Sequence, residues 1–260
     1  MKATDIMHPD DAKAILVLRK IKGFDRLIRG TMEYGYEKIF RGQNLGNMVK
    51  VNASNYSELH RAFVGVVRKV GIEKPELYIY NDPVMNAYTY GEKNTFIALS
   101  NSLVEKMSMD EVRSIIAHEC GHILCKHTFY NTLLRTIEEL GYWMECLSYA
   151  TYGPILMAMQ YWSRKSELSA DRCAAVVVGE RVYQTSMLKL TSGMAEVSGN
   201  PYQLVEQAKE YRRFMKESLW NRIQQNCRVA FNSHPQMCER AYEIDRWKNS
   251  WQYRRLIQMN

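Results

Sequence analysis

The segment "IIAHECGHILCKH" at residues 115–127 contains two histidines four residues apart, with a glutamate directly after the first. On a helix, His118 and His122 share one face, about one turn apart, so both imidazoles can bind the same ion. Glu119 points to the neighbouring side, where it can reach a water bound to that ion. This pattern indicates a zinc site in which Glu119 is the general base of a hydrolytic reaction.

A catalytic zinc ion takes three protein ligands and keeps one position open for water, so a third ligand is needed. The metzincin pattern has a glycine and then a third histidine downstream, but those positions hold Cys125 and Thr128. His127 is one residue away from the required position. Five residues after His122, it lies on the wrong face of the helix, so we expect it to cap the helix end or to support a ligand.

Glu167, in the segment "ELSAD", is the better candidate for the third ligand. It lies on a separate predicted helix, and Asp171 follows one turn later. Glu167 can bind the metal while Asp171 accepts the outer N–H of a metal-bound histidine and fixes its tautomer. Taken alone, a glutamate and an aspartate at this spacing are more often part of a solvated helix face.

A small sheet precedes the helix that carries the two histidines. "ELYIYN" at 76–81, "NAYTYG" at 86–91 and "NTFIALS" at 94–100 are rich in β-forming residues and predict three strands. Ser108 and Glu111 then have the spacing of a capping box, which predicts the start of the histidine helix.

Helical periodicity and breaker residues predict the rest of the chain. The predicted features are a helix over 9–29, a break at "GQNLGN" (42–47), a helix over 55–70 ended by Gly71, a helix over 163–179, a charged helix over 201–228, and a last helix after residue 232 with Pro235 in its first turn.

The apolar segment 140–162 is long enough to span a bilayer. However, Glu145 lies inside it and Gly153-Pro154 interrupts it, and charges are rare within membrane helices. The favoured interpretation is two core or interface helices that meet at the Gly-Pro pair. A transmembrane helix and a hairpin that dips into the membrane surface are the alternatives.

Composition predicts a folded globular protein, with 46% hydrophobic and 24% charged residues in a chain of 260. The net charge of +7 is spread over both ends, without a dense basic run interleaved with aromatics, so nucleic-acid binding is not expected. The six cysteines form no CxxC pair, and the N-terminus has acids where a signal peptide needs basic residues. We therefore expect free thiols and a cytoplasmic location.

The segments "NAYTYG", "AHECGH", "ELSAD" and "SHPQMCER" occur in this order. Together they resemble the HtpX-like and CAAX-prenyl-endopeptidase-type zinc metallopeptidases, the forty-eighth metallopeptidase family, which are gluzincins. The resemblance covers roughly residues 50–245. It implies one Zn²⁺ per chain bound by His118, His122 and Glu167, with Glu119 as catalytic base, Asp171 as support for a ligand, and His234 and Arg240 as further catalytic residues.

The resemblance also implies an α+β, predominantly helical fold: a zincin-like core with a small sheet that contains antiparallel strands. Residues 51–260 would form the metallopeptidase domain, with a helical hairpin insertion at about 133–162, after an N-terminal helical extension over 1–50. The segment "NAYTYG" would be an edge strand that binds an extended substrate through Asn86, Ala87 and Tyr88, chiefly by main-chain pairing.

The predicted function is that of a zinc-dependent metalloendopeptidase acting on proteins or peptides. His234 would lie over the zinc, where it either stabilises the transition state or plugs the site. A latent enzyme, or a non-catalytic zinc-containing protein that binds other proteins as a chaperone does, therefore remains an alternative. Many relatives have several transmembrane helices, whereas this chain has at most the segment 140–162, so peripheral membrane association stays open and no oligomeric state is predicted.

Overall fold

The computed structural model describes residues 1–21, 36–143, 149–197, 199–230 and 234–259. The described strands are β1 (Val49–Lys50), β2 (Glu76–Tyr80), β3 (Ala87–Tyr90) and β4 (Phe96–Ser100). The described helices are α1 (Ala3–Ile6), α2 (Pro9–Arg19), α3 (Tyr36–Asn47), α4 (Ser57–Val70), α5 (Asn101–Lys106), α6 (Met109–Leu124), α7 (His127–Trp143), α8 (Tyr149–Val178), α9 (Glu180–Ser192), α10 (Gln203–Glu217), α11 (Leu219–Ala230), α12 (Met237–Trp247) and α13 (Trp251–Met259). The predominantly helical α+β fold is confirmed.

The four strands form one mixed sheet in the order β1-β2-β4-β3. β2 and β4 are parallel, whereas β1 pairs with β2 and β3 pairs with β4 in the antiparallel sense. The three predicted strands are confirmed. β1 was not predicted, because a strand of two residues is too short to show an alternating pattern. In the described part of the chain, β3 is an edge strand, as predicted for "NAYTYG".

The histidine helix α6 begins where the capping box predicted it. The Oγ of Ser108 accepts a hydrogen bond from the backbone N–H of Glu111, and the Glu111 carboxylate accepts one from the N–H of Ser108. These two bonds satisfy N–H groups that a helix start leaves without partners. These local hydrogen bonds therefore determine where α6 begins and which way its histidines point around the helix axis.

The main core lies between the sheet and helices α4, α6 and α8. Its buried members include Phe63, Ile97, Ile116 and Cys173, and Ile6 from the N-terminal helix α1 belongs to the same cluster. A second cluster joins α2, α7 and α8 through residues that include Leu18, Leu133 and Trp162. The N-terminal segment therefore packs directly on α8, while a domain boundary at residue 50 stays a prediction.

Several predicted helix boundaries were wrong. The break expected at 42–47 is inside α3, because Phe40 and Asn44 are buried and tertiary packing overrides the low helix propensity of glycine. Gly153 and Pro154 also lie inside a helix, α8, rather than at a junction of two. Pro154 is the sixth residue of α8 and has no N–H, so it removes one of the hydrogen bonds within that helix.

The charged segment 201–228 is two helices rather than one. Ser218 is extended, with φ −150° and ψ 152°, and its Oγ accepts a hydrogen bond from the N–H of Asn221, which caps α11. Pro235 precedes α12 rather than lying in its first turn, since Gln236 is the N-cap residue, and α13 follows it. The helix predicted over 9–29 ends at Arg19, and residues 22–29 lie outside the described residues.

No helix in the described ranges combines the length and the apolar character that crossing a membrane requires. Of the segment 140–162, residues 144–148 are outside the described residues. The rest belongs to α7 and α8, and Ile155, Met159 and Trp162 are buried in the second core cluster.

Candidate metal centre

Three buried side chains from two helices converge at one end of the cavity beside the sheet. The Nε2 atoms of His118 and His122 are 3.2 Å apart. Glu167 on α8 brings Oε2 to 3.4 Å from His118 Nε2 and Oε1 to 3.2 Å from His122 Nε2. In the described residues, this is the one group of histidine, cysteine and acidic side chains whose donor atoms are close enough to hold an ion.

The chemistry and spacing of these donors fit zinc. Ligand atoms about 2.0–2.2 Å from a tetrahedral zinc ion lie about 3.3 Å from each other, close to the separations observed. The Oε2 atom of Glu167 is buried and accepts no well-formed hydrogen bond from the described residues. Arg240 Nη1 and His234 Nδ1 lie 3.0 and 3.1 Å from this oxygen as ionic neighbours, and a carboxylate oxygen so placed keeps lone-pair capacity for a metal ion.

The outer nitrogen of His118 is held by a carboxylate. Its Nδ1 is 3.1 Å from Asp171 Oδ1 and 3.1 Å from the hydroxyl oxygen of Tyr183. Tyr183 itself donates a hydrogen bond to Asp171. Burial opposes a charge on His118, but the hydrogen bonds to Asp171 and Glu167 raise its pKa to about 9. With Nδ1–H donated to Asp171, Nε2 is the nitrogen that faces the other two donors.

Arg240 on α12 closes the side of the site opposite the histidines. Its Nε and Nη2 atoms donate to the two oxygens of Asp171 at 3.0 and 2.6 Å, and Nη1 is 3.0 Å from Glu167 Oε2. Burial, the largest single effect, acts to raise the pKa of Asp171, but the charges and hydrogen bonds of Arg240 and His118 together outweigh it and lower that pKa to about 2. Arg240 therefore keeps two buried carboxylates ionised and in place.

Glu119 is buried and lines the cavity next to both histidines. Burial raises its pKa above the ordinary value for a carboxyl group, while the charges of His118 and His122 act in the opposite direction. A carboxylate with a raised pKa that faces a cavity is suited to take up a proton and release it again.

His234 comes from the segment before α12, and the structure brings it to the same site. Its Nδ1 lies 3.1 Å from Glu167 Oε2, while 64% of its side chain remains exposed. The negative charge of Glu167 raises the pKa of His234, and burial acts against this. The imidazole therefore touches a metal-ligand candidate and also lies at the mouth of the cavity.

The cavity has a volume of about 480 Å³ and extends from the donor group along β3. Its far wall is aromatic, and Tyr80, Tyr88, Tyr90 and Phe96 form a set of ring contacts with centroids 5.3–6.2 Å apart. The site therefore combines a charged end, at the donors, with a channel that has an aromatic wall and polar side chains such as Asn131 and Gln160.

The main chain of Asn86 is hydrogen-bonded to Ser100, whereas the main-chain groups of Ala87 point away from β4. The N–H of Asn86 donates to Ser100 Oγ, and its carbonyl accepts from the N–H of Ser100. Because antiparallel pairs alternate between bonded and non-bonded residues, the main-chain groups of Ala87 and Thr89 point away from β4, and of the two residues Ala87 is partly exposed whereas Thr89 is buried. Asn86 and Tyr88 contribute side chains to the cavity wall instead.

Two residues around the donors were not found by sequence reasoning. Tyr183 on α9 contacts both His118 and Asp171, and Asp11 on α2 contacts His127, which in turn contacts His122. Neither lies in a recognisable motif. Each is far from its partner along the chain, so the contact exists only after the helices pack.

Comparison with known proteins agrees with this site. Residues 53–248 match the model of peptidase family M48. A plastoglobule-localized metallopeptidase 48, chloroplastic, from Arabidopsis thaliana is 30% identical over 99% of this chain and 76% of its own length. A protease HtpX homolog from Helicobacter pylori strain J99 is 32% identical over 42% of this chain and 33% of its own. The chain belongs to peptidase family M48, a family of metallopeptidases.

Proposed function

We propose that this metallopeptidase is a zinc-dependent endopeptidase that cleaves extended segments of proteins or peptides. The observation that carries the proposal is the convergence of His118, His122 and Glu167 beside Glu119, at the end of a channel that runs along an edge strand. Glu119 lies on α6, the helix that also carries His118 and His122. The metal donors and the acid–base residue are therefore held in a fixed relation to each other.

His118, His122 and Glu167 would hold the zinc ion. When bound, zinc lowers the pKa of a coordinated water to about 7 and polarises the scissile carbonyl. Glu119 takes a proton from the attacking water and delivers it to the leaving amine. His234, at the mouth of the cavity, donates a hydrogen bond to the developing oxyanion. Arg240 and Asp171 hold Glu167 and His118 in position.

The substrate would pair with β3 as an added antiparallel strand. The main-chain groups of Ala87, which point away from β4 on a partly exposed residue, would supply the hydrogen bonds, while Tyr88 and Tyr90 would contact alternate substrate side chains. A main-chain mode of binding recognises an extended conformation rather than a free terminus. It therefore supports endopeptidase rather than exopeptidase activity.

A latent enzyme is the second candidate, and the position of His234 favours it. Its Nδ1 is close enough to Glu167 to compete with substrate for the space over the donors. A non-catalytic zinc-containing binding protein is less well supported, because a purely structural site has no need of the buried carboxylate of Glu119.

The test is zinc content together with cleavage of casein, using wild type, Glu119→Gln and the matched surface control Glu105→Gln. We expect one zinc per chain in all three proteins. Wild type and the control should release internal casein fragments, identified by mass spectrometry, whereas Glu119→Gln should not. Trimming from the termini alone would contradict endopeptidase activity. Zinc-loaded wild type that leaves casein intact would favour the latent enzyme.

A cytoplasmic location and peripheral membrane association through 140–162 both stay predictions. Met157 and Tyr161 on α8 are about half exposed, so one face of this segment is available for contact. Flotation with vesicles of anionic and neutral lipids tests the association. Failure to float with either composition at low salt would contradict it.

A further inference from the structure

His122 contacts a histidine that lies outside the four motifs. Its Nδ1 atom lies 3.0 Å from Nδ1 of His127, and the Nε2 atom of His127 lies 2.9 Å from Asp11 Oδ2. All three side chains are buried. A continuous row of polar groups therefore runs from a metal-ligand candidate to a carboxylate on the N-terminal helix α2.

The chemistry of the row fixes where its protons lie. To bind a metal through Nε2, a neutral His122 must carry its proton on Nδ1, and this N–H then donates to His127 Nδ1. His127 must accordingly carry its own proton on Nε2, which donates to Asp11. The reverse direction would place a proton on Nε2 of His122, where it faces Glu167 and blocks the metal.

Asp11 is itself held firmly. Its Oδ2 accepts a hydrogen bond from Ser169 Oγ at 2.6 Å, and its Oδ1 accepts one from Trp162 Nε1 at 3.1 Å. Ser169 and Trp162 are on α8, the helix that carries Glu167. Ser169 Oγ also accepts from the N–H of His8, at the start of α2. These contacts lock α2 onto the helix that provides the third metal donor.

Local backbone geometry brings His127 back toward His122. Lys126 has a φ of 60°, in the left-handed region that non-glycine residues seldom adopt. This turn separates α6 from α7, so that His127 is not carried on along the face of α6. If α6 continued without interruption, His127 would lie on the wrong face of the helix. The turn at Lys126 instead allows His127 to contact His122.

We propose that Asp11 acts through His127 as a positioning residue for the metal ligand His122, so that helix α2 is a functional part of the zinc centre. Asp11 lies outside residues 53–248, which match the family. His122 thus receives from α2 the support that His118 receives from Asp171. The inference rests on the proposed zinc site. Truncating the chain before α4 would remove the support while leaving the three donors in place.

The test is zinc affinity, measured by competition with a chromogenic chelator, in Asp11→Asn, His127→Leu and His127→Gln. Removing a partner of a metal-binding histidine weakens metal affinity by about 10- to 100-fold, and we expect this loss in Asp11→Asn and His127→Leu. Glutamine can accept from His122 and donate to Asp11, so His127→Gln should retain more affinity than His127→Leu. Asp10→Asn is the control, because Asp10 is on the same helix but pairs with Lys165 near the surface.

Circular dichroism first establishes that each variant folds. A purely structural role would lower thermal stability in the absence of zinc without changing zinc affinity or the visible absorption of the Co²⁺-substituted protein. Should a variant fail to fold, long-range ¹⁵N–¹H spectra of the zinc-loaded wild type decide the question. They should show a proton on Nδ1 of His122 and on Nε2, but not Nδ1, of His127.

Unchanged zinc affinity in folded Asp11→Asn and His127→Leu would overturn the inference while leaving the zinc site intact. A proton on Nδ1 of His127 in the zinc-loaded wild type would do the same. Wild type that binds no zinc would overturn the proposed function and the inference together, so the two failures are distinguishable.

Discussion

Gly121 lies against Ala170 where α6 crosses α8. A Cβ atom on residue 121 would be 2.9 Å from the Cα of Ala170 and 2.8 Å from the Cβ of Cys173. α6 carries His118 and His122, and α8 carries Glu167. The contact between these two residues therefore sets the distance between the helices and, with it, the distance between the three metal donors.

Gly121→Ala should separate the two helices and weaken the metal site. The added methyl meets a backbone carbon and a rigid Cβ, so it cannot be relieved by rotating a flexible side chain. We expect a loss of about 1–3 kcal/mol in the free energy of unfolding, typical of overpacking, and a marked loss of zinc affinity. Urea denaturation and chelator competition measure the two effects.

The matched control is Gly65→Ala in α4. Gly65 is exposed on a helix, and a Cβ there has no neighbour within 4 Å. Because alanine favours the helix, this variant should gain about 0.5–1 kcal/mol. Equal losses in the free energy of unfolding of the two variants would show that the close contact at Gly121 does not cause the destabilisation.

Arg240→Met should destabilise the protein strongly. It leaves Asp171 and Glu167 buried without their guanidinium partner, and breaking a buried ion pair typically costs about 3–5 kcal/mol. Zinc should recover part of this loss, since it supplies positive charge at Glu167. Urea denaturation with and without zinc measures both effects. Arg246→Ala, at an exposed arginine, should change stability by less than about 0.5 kcal/mol.

His234→Ala distinguishes the active enzyme from the latent one. If the imidazole donates to the oxyanion, as proposed, kcat should fall by about 100-fold with little change in KM. If it plugs the site, removal should raise kcat/KM instead. Steady-state cleavage of a quenched fluorescent peptide reports the direction. A variant as active as wild type would contradict both roles.

The turn at Lys126 should accept glycine and reject β-branched residues. Lys126 has a φ of 60°, a conformation that costs an L-residue about 1 kcal/mol and costs glycine almost nothing. Lys126→Gly should therefore unfold at the same temperature as wild type or slightly above it, and Lys126→Val at a lower one. Thermal unfolding followed by circular dichroism compares them. Equal stabilities would argue against the left-handed turn.

Ionisation of Glu243 should make the free energy of unfolding depend on pH in the acid range. The imidazole of His8, 3.8 Å away, the charge of Arg246 and a hydrogen bond from Arg212 lower the pKa of Glu243 from 4.5 to about 2, against the effect of burial. Because the folded pKa is below the unfolded one, the stabilisation is complete above about pH 5 and is lost as pH falls toward about 2.

Glu243→Gln should remove this component. The difference in the free energy of unfolding between wild type and variant should be larger at pH 6 than at pH 3. A difference that does not change with pH would show that the carboxylate is not stabilised in the folded state.

The motifs and local signals were well predicted. The strands over 76–80, 87–90 and 96–100, the capping box at Ser108 and the position of β3 at the sheet edge all follow from short-range alternation and from the family resemblance. The errors arose where packing overrode propensity. Gly42 and Gly46 are helical in α3, and Pro154 lies inside α8 rather than at its boundary.

By itself, the sequence predicted the candidate metal donors His118, His122 and Glu167 and the candidate base Glu119. The spacing of His118, Glu119 and His122 within one helix, and the order of the four motifs that adds Glu167, can be read directly along the chain. The tertiary structure alone decided what surrounds them. Tyr183 reaches His118 from 65 residues away, and Asp11 reaches His127 from 116 residues away. Such contacts leave no local pattern, because they depend on how helices cross, and that crossing is set by Gly121 and the buried core.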